Sequence, residues 1–351
     1  MKKIVLGSLG FFNYSLKIKL TVFVFLMLIT SDYYSQEYIA MYKDKGVWGF
    51  MNLKGEVIIK PKYTYCRDFN SGIAKVGEKA FINLKGEKLK MKVPILDAHQ
   101  YSDSMLAVKV GVSWGYMNTA GELVIQAKYK EVTDFYDGYA LVSDNNGTFV
   151  LDKNGKETKV ISKGDIKSIH HFNEGLAPIE TDGNFGFVNT EGIITIEPKF
   201  LTVGYFSVGL AWARTKDNKI GYINTKGEWV IEPVFFAAQP FDKKSGRARI
   251  KDKDGWGYVN QKGEILKIKE AESFDDFKDG LCAHRIHRKT LWGYIDGDGK
   301  WIIEPKYIGV TPFKNGFARV KVKSKWGIIN QKGEWVLQPI YDNIKSFSKI
   351  D

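Results

Sequence analysis

The sequence predicts an all-β fold, built as a tandem array of about nine three-stranded antiparallel units. A Trp-Gly phrase recurs along the chain at nearly constant spacing. Glycine is abundant at 35 residues, and aromatic residues make up 14% of the chain; this combination is typical of short strands joined by tight turns. No stretch carries helical periodicity long enough for a major helix. Hydrophobic residues make up 44%, so the chain can bury a large core.

The Trp-Gly pair sets the phase of the repeat. Successive positions in the Trp column are separated by 31 to 37 residues, and a period of this size indicates units that stack on one another. Two further units keep only the glycine, at Phe185-Gly186 and Ile220-Gly221. Two degenerate units have Lys79 and Thr148 in the Trp column. The predicted structural positions are the five complete pairs: Trp48, Gly49, Trp114, Gly115, Trp256, Gly257, Trp292, Gly293, Trp326 and Gly327.

Each unit predicts three short strands. A Gly-hydrophobic-Ala phrase opens the unit, then the Trp-Gly strand leads through an Asn-x-Lys-Gly turn into an apolar strand that ends near a proline. Asn and Gly tolerate the left-handed backbone of such turns. Three consecutive apolar columns in the last strand predict cover on both faces, which only neighbouring units can supply. The glycine after Trp predicts close approach of a neighbouring backbone, and the proline predicts the end of the strand.

The phrase "KWGIINQKGEWVLQP", with Gly-Phe-Ala upstream, resembles the bacterial WG-repeat (KWG) family over roughly nine-tenths of the chain. The resemblance implies an exported or surface β-repeat protein with no common enzymatic activity, no catalytic residues to carry over and no cofactor. The units could be arranged in two ways. An open, curved, solenoid-like array is favoured, because about nine units of three strands differ from the four to eight blades of four strands that are typical of propellers. A closed propeller-like ring is the alternative.

The first 35 residues predict a secretory signal peptide, followed by a WG-repeat β domain at 36–351. Lysines precede an apolar run at Leu20–Thr30, which matches the core of a signal better than a membrane span. A retained membrane anchor and a buried strand or helix are the alternatives. We therefore expect an exported protein, periplasmic, on the cell surface or secreted, that meets a membrane only through this segment.

Charge and cysteine content exclude little. The formal net charge is +12, of which the first 35 residues contribute +3 and the rest +9. Five lysines share one turn position: Lys54, Lys85, Lys226, Lys262 and Lys332. Each is followed two residues later by a glutamate, which indicates a solvated edge rather than a nucleic-acid site. Cys66 and Cys282 form no disulfide framework by their spacing.

Several short motifs match chemical sites but have simpler interpretations. "GVSWG" at Gly111–Gly115 matches a nucleophile elbow, yet its Trp-Gly belongs to the repeat, so Ser113 is interpreted as a turn residue. "DGDGK" at 296–300 stands where other units have their Asn-Gly turn and lacks the glutamate of a calcium loop. The remaining candidates are a metal set of Cys282, His284 and His287 that lacks one ligand, the pair His170-His171 without a partner, and Trp301 and Trp335, which we expect in the core.

The function expected from the sequence is a non-enzymatic exported scaffold for protein or cell-surface interaction, acting as a monomer. A cell-wall or polysaccharide-binding module is the alternative, and an enzyme on a β-repeat frame is a third. Neither a nucleic-acid partner nor a metal is expected. The connectors between units would vary and carry specificity.

Overall fold

The computed structural model describes residues 38–78, 80–268, 275–286 and 291–350. Strands, turns and connectors make up these residues, and no helix occurs among them. In particular, no helix long and apolar enough to cross a membrane lies in the described part of the chain. The predicted segment 1–35 lies outside the described residues. The described strands form nine antiparallel sheets, which correspond to the nine predicted units.

Units 1 to 5 contain the first seventeen strands. Their bounds are β1 Tyr38–Asp44, β2 Val47–Asn52 and β3 Val57–Tyr63 in unit 1; β4 Ile73–Val76 and β5 Ala80–Asn83 in unit 2; β6 Asp97–Ser102, β7 Met105–Val110, β8 Ser113–Asn118 and β9 Leu123–Tyr129 in unit 3; β10 Glu131–Val132, β11 Tyr139–Asp144, β12 Gly147–Asp152 and β13 Glu157–Lys159 in unit 4; and β14 Ile166–Ile169, β15 Leu176–Thr181, β16 Asn184–Asn189 and β17 Ile194–Phe200 in unit 5.

Units 6 to 9 contain the remaining strands, and the last two return to unit 1. Their bounds are β18 Thr202–Val203, β19 Ala211–Arg214, β20 Ile220–Ile223 and β21 Trp229–Phe235 in unit 6; β22 Ala237–Ala238, β23 Arg247–Asp252, β24 Gly255–Asn260 and β25 Ile265–Leu266 in unit 7; β26 Cys282–His284, β27 Trp292–Ile295 and β28 Trp301–Tyr307 in unit 8; β29 Gly309–Val310, β30 Phe317–Val322, β31 Lys325–Asn330 and β32 Trp335–Tyr341 in unit 9; and β33 Asn343–Ile344 and β34 Ser348–Lys349, both paired with β1.

Most units have four strands rather than the three predicted. The additional first strand is usually only two residues long and lies in the connector, where β10, β18, β22 and β29 each pair with the next strand of their sheet. The connector carries little strand pattern, which is why the sequence does not reveal it. In the degenerate unit 2, the structure describes only two strands, β4 and β5. The isolated bridges Cys66↔Val76 and Ile82↔Lys88 stand in place of the other strands.

The last strand of each unit departs from two expectations. Proline does not end it: Pro61 lies inside β3, where the register shifts in a bulge between the Trp48↔Tyr63 and Phe50↔Ile59 pairs. The strand is also not covered on both faces. Ile59 is only 4% exposed but its neighbour Ile58 is 47% exposed, and Ile302 and Ile303 of unit 8 show the same contrast. This strand is the last of its sheet; on one of its faces Ile59 packs against unit 2, and on the other Ile58 faces solvent.

The core lies between units rather than within them. Tyr116 and Ile125 of unit 3, for example, pack against Phe135 and Leu151 of unit 4. Among the described residues, nine such clusters join each unit to the next, from units 1 and 2 through to units 9 and 1. Burial against a neighbour is what gives a repeat array its stability, and this part of the prediction is confirmed.

The two ends of the described chain meet. Tyr42 and Lys43 of β1 pair with Ile344 and Asn343 of β33, and the start of β1 pairs with β34. Unit 1 therefore takes its first strand from the C-terminal end of the chain, and its sheet packs on unit 9 through Ile344 and Phe347, both fully buried. The all-β repeat array is confirmed, and of its two possible arrangements these contacts favour the closed ring over the open array.

The glycine after Trp has a clear structural cause. A Cβ added at Gly293 would lie 2.3 Å from the carbonyl oxygen of Ile303, and one at Gly49 would lie 2.5 Å from that of Ile59. Both oxygens belong to the bulged last strand of the same unit. The predicted close backbone approach is thus confirmed, and the approaching backbone comes from within the unit.

Candidate functional site

The first strands of the sheets lie on the inner side of the ring. Lys314 Nζ of unit 9 lies 3.2 Å from Asp68 Oδ2 of unit 2, so this ion pair passes over unit 1. In the same way, Lys243 Nζ of unit 7 lies 3.0 Å from Glu174 Oε1 of unit 5. A contact that skips a unit is possible only where the units converge. All four residues lie in connectors or in the turns between first and second strands, which places these segments innermost.

One connector position varies from unit to unit. It immediately precedes a buried aromatic that packs into the inter-unit core, as Phe135 packs on Tyr116 with ring centroids 4.8 Å apart. In unit 4 the preceding residue, Asp134, is only partly buried and contacts a residue of the preceding unit. The residues at this position are Asp68, Asp134, His171, Tyr205, Pro240, Asp276 and Pro312. The structure thus gathers unlike side chains from several units on the inner face.

Three aromatic rings from consecutive units pack on one another near this position: His171 and Tyr205 occupy it, and Tyr136 follows the buried Phe135 of unit 4. The His171 ring of unit 5 lies between Tyr136 of unit 4, at 4.4 Å, and Tyr205 of unit 6, at 4.1 Å and nearly parallel. The Tyr205 hydroxyl is 3.0 Å from His171 Nδ1 and can donate to it when the imidazole is neutral. Tyr136 is 41% exposed. The stack therefore presents a ring surface to solvent, with polar edges along it.

An imidazole and a carboxylate extend this surface toward unit 3. His99 Nδ1 lies 2.8 Å from Asp134 Oδ1 of the next unit, and the same imidazole packs on Trp114 with centroids 4.8 Å apart. Both side chains are about one-third exposed. We call His99, Asp134, Tyr136, His171 and Tyr205 the inner strip. It offers π surface, hydrogen-bonding edges and a carboxylate across four consecutive units.

Burial changes how the histidines titrate. It lowers the pKa of His170, His171 and His284 below the ordinary value of 6.5, because the charged imidazolium loses solvation. Near pH 7 these imidazoles are therefore neutral, which fits acceptance of a hydrogen bond by His171.

We expect the protein to lose stability as the pH falls below about 6.5, because the unfolded chain then binds protons that the buried imidazoles resist. The sign follows from the direction of the shift: a lowered pKa in the folded state makes stability complete above 6.5 and reduces it below. Thermal unfolding followed between pH 7.5 and 5 checks this. The variant with His170→Gln and His171→Gln should show a shallower decline, and an identical decline would contradict the assignment. Glu157 and Glu174 have lowered pKa values, so their protonation affects stability only at a pH below the range of this experiment.

The Trp column lies beside the inner face, and its rings are half-buried and covered by cations. Lys43 and Lys345 lie over Trp48, and Arg249 and Lys251 lie over Trp256, at 4.9 to 5.8 Å from the ring centroids. The pattern repeats at Trp114 with Lys109, at Trp292 with Arg285, and at Trp326 with Arg319 and Lys321. The five predicted Trp-Gly pairs are thus strand positions at the inter-unit seams.

The cysteines and histidines of the sequence motifs do not assemble into a metal site among the described residues. Cys66 and Cys282 are free thiols. Cys282 Sγ lies 3.2 Å from the Tyr258 hydroxyl, and burial raises the pKa of this thiol to about 12. Cys282 and His284 share a face as predicted, with His284 packed on Trp301, while His287 lies outside the described residues.

The other motifs follow their structural interpretations. Ser113 opens β8, which continues through the Trp-Gly pair as a strand. Asp296 Oδ1 accepts hydrogen bonds from the backbone N–H of Asp298 and Lys300, as Asn330 Oδ1 does from Lys332 and Glu334 in unit 9. Trp301 is half-buried. Trp335, expected in the core, is 37% exposed because it lies on the edge strand.

The turn lysines lie on the opposite end of the sheets from the Trp column. Their partner glutamates are held within the turn: Asn330 Nδ2 donates to Glu334 Oε2 at 2.7 Å, and Asn260 donates to Glu264 in the same way. The five turn lysines are exposed to solvent. These turns follow from the sequence, and so does the variation of the connectors, which includes Asp134, His171 and Tyr205. His99 and Tyr136 lie outside the variable connector position, and no sequence pattern marks them as members of the inner strip.

Family models of the "WG containing repeat" match residues 48–78, 114–147, 185–219, 220–255, 292–326 and 326–349, together more than half of the chain. The chain belongs to the WG-repeat family. The resemblance carried by the Trp-Gly phrases is thereby confirmed. A search of the curated proteins gives no match.

Solved structures with similar folds share little sequence with this WG-repeat protein. A eukaryotic initiation factor has a TM-score of 0.56 at 12% identity, covering 89% of this chain and 98% of its own. The computationally designed Ika8 protein reaches 0.39 at 13% identity, covering 76% and 95%. Hsv2p of Kluyveromyces lactis reaches 0.40 at 12% identity, covering 73% and 99%. At these identities the first likeness shows the fold alone, and the other two add no argument.

Proposed function

We propose that this WG-repeat protein is a non-enzymatic, exported scaffold that binds a protein partner through the inner strip. One observation carries the proposal: the inner strip gathers unlike, half-exposed side chains from four consecutive units. The repeated positions serve the fold in every unit, but Tyr136, His171 and Tyr205 stack on one another without filling the inter-unit core. Variation confined to one face of a regular array is how repeat proteins build binding surfaces.

The composition of the inner strip favours a protein partner. Half-buried tyrosine and histidine offer large contact area with polar edges, as interface hot spots do. Tyr136 and Tyr205 cover the two faces of the His171 ring, which leaves the exposed part of Tyr136, the ring edges and the Asp134 carboxylate for contact. Hydrogen-bonding edges suit backbone and side-chain amides. The signal-like sequence of residues 1–35 supports export of the chain to the envelope or beyond it. We further propose that the chain acts as a monomer.

The test is a pull-down with the immobilised full chain from isolated cell envelope of the source cells. We expect a protein to be captured, and capture to fall about tenfold or more in the variant with Tyr136→Ala and His171→Ala, since loss of one anchor side chain typically costs at least about 2 kcal/mol. The matched control, Lys226→Ala with Lys262→Ala, changes two turn lysines at the opposite end of the sheets and should capture normally.

Competing outcomes separate the alternatives. Capture that resists protease treatment of the envelope but is abolished by soluble envelope glycan would identify a polysaccharide-binding module. Equal capture by the inner-strip variant and the control variant would show that the partner binds elsewhere, and the proposal would then be wrong.

A further inference from the structure

A second surface stands out by its charge. Consecutive units 7, 8, 9 and 1 each hold a tryptophan of the Trp column under at least one cation. We call the following residues the Trp-cation arc: Trp256 with Arg249 and Lys251, Trp292 with Arg285, Trp326 with Arg319 and Lys321, and Trp48 with Lys43 and Lys345.

The arc extends across the closure of the ring. Arg319 Nη1 of unit 9 donates to the carbonyl oxygen of Ile344, at 2.8 Å, and Ile344 lies in the first strand of unit 1 beside Lys345. Arg249 of unit 7 pairs with Asp276 of unit 8 at 2.8 Å. These contacts link the arc residues of unit 9 to unit 1 and those of unit 7 to unit 8.

Several of these cations are not neutralised. Within the described part of the chain, no carboxylate lies within ion-pair distance of Lys43, Lys251, Lys321 or Lys345. Lys251 and Lys345 are exposed, and the other two are partly exposed. The tryptophan beneath each ammonium group limits its motion, since a cation over an indole face gains about 0.5–1 kcal/mol at an exposed site. The arc thus holds positive charge in prepared positions.

We propose that the Trp-cation arc binds a carboxylate-rich peptide segment of a partner protein. The inference goes beyond the proposed function, because it assigns a ligand class to a second surface that is separate from the inner strip. An acidic chain matches the unpaired lysines by charge complementarity. Single-stranded nucleic acid and sugars fit less well, because both bind by stacking on open aromatic faces, and here those faces are covered by cations.

The probe is a fluorescein-labelled decaglutamate peptide, titrated with the full chain at low salt and followed by fluorescence anisotropy. We expect saturable binding that weakens about tenfold in the variant with Lys251→Gln, Lys321→Gln and Lys345→Gln. The control carries Lys226→Gln, Lys262→Gln and Lys332→Gln, which removes the same charge from the outer turns and should change affinity less than about twofold. Equal loss in both variants would overturn the inference, because net charge alone would then explain binding.

Two further measurements fix the ligand class and separate this inference from the proposed function. Tighter binding of inorganic polyphosphate or of a single-stranded oligonucleotide, lost in the arc variant, would overturn the assignment to an acidic peptide. The variant with Tyr136→Ala and His171→Ala should still bind decaglutamate. If the inner-strip variant loses envelope capture while the arc variant keeps decaglutamate binding, the proposed function stands and the inference fails. If the inner-strip variant keeps envelope capture while the arc variant loses decaglutamate binding, the inference stands and the proposed function fails.

Discussion

Replacing both Ile344 and Phe347 by alanine should destabilise the protein by about 5 kcal/mol or more, since single substitutions of this kind in a core cost about 2–5 kcal/mol each. Both side chains are fully buried between units 9 and 1, where they close the ring. A loss of this size is comparable with the whole stability of many domains. Urea and thermal unfolding of the full chain would measure it.

The C-terminal segment contains its own control. Ile340 lies only four residues before Ile344 but is 66% exposed, so Ile340→Ala should change stability by less than about 0.5 kcal/mol. If the double variant does not fold, Phe347→Leu, which keeps most of the apolar volume, gives a measurable intermediate. Equal effects of the double variant and Ile340→Ala would mean that the ends of the chain do not hold the ring together.

Substituting Gly293 by alanine should cost about 3 kcal/mol or more, because overpacking of a fixed site costs about 1–3 kcal/mol and here the obstacle is backbone. The added Cβ would lie 2.3 Å from the Ile303 carbonyl oxygen and 2.8 Å from the Pro305 nitrogen. Relief would require β27 and β28 to separate at the bulge. A lower midpoint of unfolding, measured in urea, is the expected result.

Gly309 provides the comparison for this substitution. At Gly309, in the next unit, the nearest atom to an added Cβ is Lys321 Cβ at 3.5 Å, an ordinary contact. Gly309→Ala should therefore be tolerated within about 1 kcal/mol. If Gly293→Ala were as mild as Gly309→Ala, the close approach of the bulged strand would not explain the Trp-Gly phrase.

Most local features of the fold could be predicted from the sequence. The position of each Trp-Gly strand and of turns such as Asn330–Glu334 follows from residues that act within one unit. Asn330 holds its own turn through five hydrogen bonds with Lys332, Gly333 and Glu334, so its effect is short-range. The first strand was missed because β10 and β18 are two residues long and are set by pairing with the next strand.

The last strand shows how a correct pattern can lead to a wrong environment. Ile58 and Ile59 are equally apolar, yet one is exposed and the other buried. Apolar residues on both sides of a strand predict cover on both faces, but β3 is the edge of its sheet, and only one neighbouring unit reaches it. The proline at position 61 was interpreted as a strand end, whereas a bulge accommodates it within the strand.

The sequence alone determined that this protein is a nine-unit β-repeat chain of the WG-repeat type, because glycines, tryptophans and turn residues with local effects define the repeat. Only the tertiary structure decided that β33 and β34 pair with β1, and that His99, Asp134, Tyr136, His171 and Tyr205 line one surface. Those arrangements depend on contacts between residues one or more units apart, and on the curvature that brings unit 9 back to unit 1, neither of which a single repeat specifies.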